Sequence, residues 1–257
     1  MDQPPAVDLP ALLTEGARAP AARPLLTYYD DATGERAELS SVALGGWAAR
    51  TAALMSGGCG LQRGDLAAVL LPPHWQTAAV LLGTWAAGLT VSVRLAATAG
   101  LATTGPGADR QPDVVFVSGG RLDDWLEDIP AAPHRFVLRV GRTRPGLGEP
   151  PAGYRDYLAE VRGYPDEAPP YGSILPTDAA TVDGTTFQEW ISLAHEVAAM
   201  RELGPGDRVL VDADAHEHPI HWLLAPLSVG ASVVLCANLD RGRLPARIAA
   251  EGVTHVL

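Results

Sequence analysis

Gly64-Asp65-Leu66-Ala67-Ala68-Val69-Leu70-Leu71-Pro72-Pro73 opens on a turn pair, runs through six apolar residues and stops at two prolines that cannot extend a ladder. An apolar run of this length, flanked by helical patterns, reads as a strand buried on both faces. Upstream, Leu44, Trp47, Thr51, Leu54 and Met55 recur on a 3.6-residue stripe, which predicts an amphipathic helix. Downstream, Trp75, Ala78, Ala79, Leu82 and Trp85 make another helical stripe, Gly88 ends it, and the stretch from Thr90 to Leu95 reads as the next strand. The unit is strand, helix, strand.

The same order returns later in the chain. Phe187, Trp190, Ile191, Ala194 and Val197 form a helical stripe with two capping boxes available at its start, Thr185-x-x-Gln188 and Thr186-x-x-Glu189. Gly206-Asp207 then precedes the strand Arg208-Val209-Leu210-Val211. A helix is expected from His221 to Leu227, Gly230 closes it, and Ser232-Val233-Val234-Leu235 follows. Gly64 and Gly88 are 24 residues apart, and so are Gly206 and Gly230. Equal spacing at matched residue types predicts an α/β protein of two pseudo-repeated, mainly parallel α/β subdomains. Val114-Val115-Phe116-Val117 and Phe136-Val137-Leu138 read as further strands between the copies. The expected division is an N-terminal segment over 1–24, a first subdomain over 25–140, a Pro/Gly-rich linker over 141–178 with one helical stretch near Tyr154 to Val161, and a second subdomain over 179–257.

Thirty acidic residues against 19 arginines give a formal charge of −11, which repels phosphate backbones and anionic membrane surfaces, so neither nucleic acid nor membrane is an expected partner. The sequence contains no lysine. Schiff-base chemistry and a compact ammonium on phosphate are therefore closed to it, because a guanidinium does not deprotonate and presents a planar fork. Cys59 and Cys236 form no metal-type or redox-type pair and read as small buried hydrophobes in a reducing compartment. No basic region leads into an apolar run near Met1, and no stretch of eighteen apolar residues occurs, so the expectation is a soluble, cytoplasmic protein.

Gly60-Leu61-Gln62-Arg63-Gly64-Asp65-Leu66-Ala67-Ala68-Val69-Leu70-Leu71-Pro72, continued by Leu81-Leu82-Gly83-Thr84-Trp85-Ala86-Ala87-Gly88, resembles the N-terminal subdomain of adenylate-forming enzymes, the acyl-CoA synthetase and AMP-binding superfamily. Leu26-Thr27-Tyr28 fits that family's opening strand. Pro205-Gly206-Asp207-Arg208-Val209-Leu210, Leu224-Ala225-Pro226-Leu227, Gly230-Ala231-Ser232-Val233-Val234-Leu235 and Val253-Thr254-His255-Val256 resemble its second subdomain in the same order. More narrowly, the chain resembles an actinobacterial group of unassigned function related to these enzymes. The resemblance implies an ATP loop, a Ser/Thr/Gly-rich run ending in Pro-Lys, at the place where this chain reads Thr181-Val182-Asp183-Gly184-Thr185-Thr186-Phe187-Gln188. Gly184, Thr185 and Thr186 match the core of that loop and are the candidate nucleotide-binding residues; the following glycine, proline and lysine are missing. A plain helix cap at Thr185 or Thr186 is the competing reading. The family's later adenine and magnesium motif, its ribose-binding aspartate and its lid with the catalytic lysine would follow Leu257, and the expectation is a chain without them.

His216-Glu217-His218 with His221 admits three readings: imidazoles offered to zinc, a solvated strand-to-helix loop, or, as the resemblance implies, a wall of the acyl-substrate pocket, for which His216, His218 and Trp222 are the candidates. Trp47, Trp75, Trp85, Trp190 and Trp222 fall on helical stripes and read as core. Ser118-Gly119-Gly120 lacks the nucleophile-elbow pattern. Asp212 and Asp214 alternate at a strand end, where they are either a cation site or a polar terminus. The functional expectation is a catalytically incomplete relative of adenylate-forming enzymes that binds a small molecule or another protein, with no catalytic residue, no metal and no resident cofactor. ATP or AMP is the low-ranking exception. Expected partners are an acyl or other carboxylate ligand, a second copy of the chain or a complete family member. The alternative is an acyl-adenylating ligase completed by a partner chain.

Overall fold

The computed structural model describes residues 24–99, 101, 107, 109–122, 124, 128–141, 149–167 and 174–257. The expected N-terminal segment lies outside the described residues except for Pro24. The apolar runs of the first copy become β3 (Leu66–Leu70), β4 (Thr90–Val93), β5 (Val114–Ser118) and β6 (His134–Leu138), preceded by β1 (Leu26–Asp30) and β2 (Arg36–Leu39). Those of the second become β8 (Arg208–Asp212) and β9 (Ser232–Ala237), with a short β10 (His255–Val256). The helical stripes form α1 (Ser41–Ala53), extended by a π-helical turn over Leu54–Gly58, α2 (Trp75–Ala86) and α5 (Phe187–Met200). The helix expected from His221 is a π-helical turn, Ile220–Leu224, running into the single turn α6 (Ala225–Ser228). Two further single turns, α3 (Gly119–Leu122) and α4 (Tyr157–Val161), and the helix α7 (Leu244–Glu251) complete the order, with β7 (Arg155–Asp156) ahead of α4.

Two five-stranded sheets result, ordered β4-β3-β5-β6-β7 and β10-β8-β9-β1-β2. Every pairing is parallel except that of β1 with β2. The turns of the pseudo-repeat match bond for bond. Gly64 N–H donates to the Gly88 carbonyl at 2.9 Å, and Gly206 N–H to that of Gly230 at 3.1 Å. Thr90 N–H donates to Asp65 O, and Ser232 N–H to Asp207 O. The carboxylates of Asp65 and Asp207 each accept from the backbone three residues earlier, at Gln62 and Gly204. In both copies the strand after the unit returns to the outer side of its first strand, giving the matched orders β4-β3-β5 and β9-β8-β10.

The sheets do not follow chain order. β1 and β2 join the sheet of β8 and β9, with Leu26 opposite Val233 and Asp30 opposite Ala237. The segment expected as linker supplies β7, which pairs with β6, and α4, whose Tyr157 is fully buried. Aromatic and aliphatic side chains of both sheets form one continuous core through α1, α2 and α5. Trp85, Trp190 and Trp222 lie in it, Trp47 and Trp75 pack partly buried against it, and both cysteines are free and buried.

Helices α1 and α2 approach so closely that a Cβ added at Gly83 would lie 2.4 Å from Thr51 Cβ and 2.6 Å from the Ala48 carbonyl. Gly64, by contrast, has open space around its absent Cβ but a φ of +87°. Gly83→Ala is therefore expected to cost about 3 kcal/mol or more through forced separation of the helices. Gly64→Ala should cost only about 1–2 kcal/mol of backbone strain. Urea unfolding of the two variants measures the order.

Candidate functional site

Ala179 to Val182 run along the free edge of β4, with Val91 N–H donating to Ala180 O and Val182 N–H to Val91 O. This docking fixes the turn from which α5 starts. Within the turn, Thr181 Oγ1 and Thr185 N–H both donate to Asp183 Oδ1, and Gly184 N–H donates to Thr181 O. Of the two capping boxes the sequence allows, the fold uses Thr186 with Glu189: Glu189 N–H donates to Thr186 Oγ1 at 3.2 Å, and Glu189 Oε2 accepts Thr186 N–H at 2.9 Å. Thr185 cannot cap, because its carbonyl faces back and accepts from Ala180 N–H and Thr181 N–H. Phe187 N–H and Gln188 N–H donate to Asp178 O and Pro176 O. Every amide from Gly184 to Trp190 thus has an acceptor supplied by the chain itself. Partial burial opposes ionisation of Asp183, but its Thr181 and Thr185 bonds hold the carboxyl below its ordinary range; the Thr186 amide and hydroxyl do the same for the exposed Glu189.

The second group of candidates faces this turn. His218 stands edge to face against Trp190, with ring centroids 5.7 Å apart, and lies within the field of Asp183. Trp190 is one turn into α5 from Thr186, so the fold brings the candidate loop and the candidate pocket residues to one place. His221 is 5.7 Å from His216 and 6.3 Å from His218, centroid to centroid. Trp222 sits behind them, 1% exposed, with its indole N–H bonded to the Glu217 carbonyl. The aromatic that meets His218 is Trp190, which the helical stripe marked only as core. Trp190 Nε1 and His221 Nδ1 are buried without hydrogen-bond partners among the described residues. Among the described residues no group of three His, Cys, Asp or Glu side chains is placed to hold a metal ion.

A histidine sits at the equivalent exit in each copy. His74 Nδ1 accepts Gln76 N–H at 3.1 Å and caps α2, while His218 Nδ1 accepts Ile220 N–H at 3.4 Å before the π-helical turn. Accepting at Nδ1 fixes the neutral tautomer with hydrogen on Nε2. His74 is fully buried, and its Nε2 faces Glu35 Oε1 at 3.2 Å, an oxygen that Trp75 Nε1 also approaches at 3.4 Å. Its ring stands edge to face on Tyr28 of β1 at 4.3 Å, so this side chain joins one sheet's helix to the other sheet's hairpin. The sequence carried a signal for this in the parallel placement of His74 and His218 after a strand.

Burial lowers the pKa of His74 despite Glu35, lowers that of His218 with help from His221, and lowers that of His221 with help from His216 and Arg201. A folded-state pKa below the unfolded 6.5 gives stability that is complete above 6.5 and is lost as acid protonates the unfolded chain first. The unfolding free energy is expected to fall between about pH 7.5 and about pH 5.5, a window above the titration of Glu35 and Asp183, both of which are held low. Guanidinium unfolding at the two pH values tests this, and the drop should shrink in His74→Gln.

No family model matches the chain. The "TIGR03089 family protein" of Mycobacterium tuberculosis is 36% identical over 255 residues, covering 96% of both chains. Among solved structures, the N-terminal domain of FACL13 from Mycobacterium tuberculosis superposes with a TM-score of 0.68 at 16% identity, over 97% of this chain and 62% of that one. The anthranilate CoA ligase AuaEII, solved with anthranoyl-AMP, gives 0.69 at 16% over 99% and 50%, and the acetoacetyl-CoA synthetase of Streptomyces lividans gives 0.71 at 19% over 97% and 42%. The chain therefore spans roughly half the length of these synthetase structures, and at such identities they establish its fold. With more than a third of its residues shared along nearly its whole length with the mycobacterial relative, the chain belongs to the TIGR03089 family, built on the fold of the N-terminal part of acyl-CoA synthetases.

Proposed function

We propose that this protein is a catalytically incomplete relative of the adenylate-forming enzymes that acts by binding, with a small acyl or carboxylate-bearing molecule or a partner protein as its ligand. The observation that carries the reading is the closed turn at Gly184, Thr185 and Thr186. A phosphate loop works by presenting free backbone N–H groups and a cation to oxyanions. Here the amides from Gly184 to Trp190 are bonded internally, two carboxylates, Asp183 and Glu189, flank the helix start, and no lysine exists to supply the cation. Opening the turn for a triphosphate would break several of these bonds and bring like charges together.

The aromatic cluster beside the turn supports a binding role. His218, Trp190 and His221 form an aromatic cluster in which two buried nitrogens lack partners among the described residues, with His216 against His221 and Trp222 buried next to it in the chain. The unpaired buried indole N–H of Trp190 is the feature a ligand's carbonyl or carboxylate oxygen would relieve.

Completion by a second polypeptide is the alternative, favoured by the fact that the synthetase structures sharing this fold extend to about twice its length. In that case ligase activity would appear only on mixing. The protein alone is expected to show no carboxylate-dependent ATP–pyrophosphate exchange. Saturable exchange that disappears in the Thr185→Ala, Thr186→Ala double variant would overturn the proposal.

A further inference from the structure

Arginines across this acidic chain serve carboxylates: Arg50 pairs with Asp166, Arg63 with Asp178, Arg208 with Glu251 and Arg247 with Asp31. Arg94 and Arg110 reach none among the described residues. Arg94 Nη1 donates to the Asp128 carbonyl at 3.3 Å, and its Nε is buried with no hydrogen-bond partner among them. Arg110 Nη2 donates to the Gly64 carbonyl at 3.1 Å. Both side chains line one pocket, which is partly open to solvent and encloses about 210 Å³ of space.

The pocket is built on one face of the first sheet. Leu66 and Ala68 stand two apart on β3, Ser92 and Arg94 two apart on β4, and Ala68 lies opposite Ser92, so the four line the same side. It is the side turned away from α1 and α2: Ala67, Val69 and Val91 pack with those helices in the common core, whereas Ala68 belongs to a small separate cluster. Gly107, Arg110, Pro112 and Val182 enclose it. Gly107 N–H donates to the Val182 carbonyl at 3.1 Å, and a Cβ added there would lie 2.9 Å from that oxygen, so only glycine lets the two segments meet. The main-chain donors around the pocket are used: Leu66 N–H on Asp113 Oδ2, Arg94 N–H on Val69 O, and Arg110 N–H on Gly107 O. What remains for a ligand is the two guanidiniums, with the Ser92 hydroxyl beside them.

We propose that this pocket binds the carboxylate of a small organic acid. With Nη1 held by Asp128, the edge of Arg94 formed by Nε and Nη2 is the one left to a ligand, and its two parallel N–H bonds match the two coplanar oxygens of a carboxylate. Arg110 supplies a second positive charge. Leu66, Ala68, Pro112 and Val182 line the pocket with carbon, which suits a short apolar stem. A phosphate fits less well, since its further oxygens would meet those carbon walls unpaired. The pocket is separate from the aromatic cluster, whose Trp190 packs on Trp85 of α2, on the other side of β3 and β4. The inference therefore goes beyond the function proposed above and stands whether or not that cluster holds a ligand.

Amide-resolved NMR titration with propionate, n-propanol and inorganic phosphate at matched ionic strength tests the site. Propionate is expected to shift the amides of Ser92, Arg94 and Gly107 saturably, with affinity lowered about tenfold or more in Arg94→Gln and in Arg110→Gln. Arg110 is exposed, so its variant should fold even if Arg94→Gln does not, and the amide spectrum reports folding of each. Arg241→Gln, the same charge change at an exposed position of the other sheet, should bind as the parent does. Equal shifts with propanol, tighter binding of phosphate than of propionate, unchanged affinity in both pocket variants, or no saturable shift would each overturn the site. Propionate shifts confined to the Trp190 indole would overturn it while leaving the proposed function standing, whereas ATP–pyrophosphate exchange bears on that function alone.

Discussion

One backbone hydrogen bond, made twice, holds the architecture in register: glycine N–H to glycine carbonyl, Gly64 to Gly88 and Gly206 to Gly230. All four glycines have positive φ, between 73° and 87°, where a side chain would strain the backbone. The bond clamps the start of one strand to the start of the next, so β3 and β4, and likewise β8 and β9, leave the turn parallel and side by side. Their carboxyl ends then point the same way, and the loops leaving them meet between the sheets. The candidate site is a consequence of that clamp.

The strands and long helices were legible because apolar runs and 3.6-residue stripes are local signals, and the repeat was legible because glycine spacing is. What resisted reading was non-local. Nothing in Leu26-Thr27-Tyr28 names β9 as its neighbour, since any apolar strand fits any buried sheet position, and only the fold shows that the two strands pair. The choice between Thr185 and Thr186 as cap turned on the direction of one carbonyl, set by docking of Ala179 to Val182 on β4. His216, His218 and Trp222 were visible as a cluster, but the ring that meets His218 comes from a helix 28 residues earlier in sequence, where Trp190 looks like any other core position.

The chemistry of the candidate site follows from what each copy places at its exits. Both supply a histidine whose Nδ1 accepts a backbone amide two residues on, and both leave carboxylates near by, Glu35 beside His74 and Asp183 beside His218. On such a scaffold, oxyanion chemistry needs donors and cations, and the helix start at α5 has used its donors on Asp178, Pro176 and Glu189. Polar capacity has been turned inward, to holding the turn in shape.

The pairing of β1 with β9 also bears on how the chain is made. Leu26 and Val233 are about two hundred residues apart, so the hairpin of β1 and β2 leaves the ribosome long before its sheet exists. Meanwhile β3 to β6 and their helices can assemble, since they need only each other. The early hairpin waits with an apolar face and an open edge, an aggregation hazard that persists until β9 arrives and a natural point for a chaperone to act. Closure of the second sheet is then a late, long-range event, and it is the step that joins the earliest-made strand to one of the last.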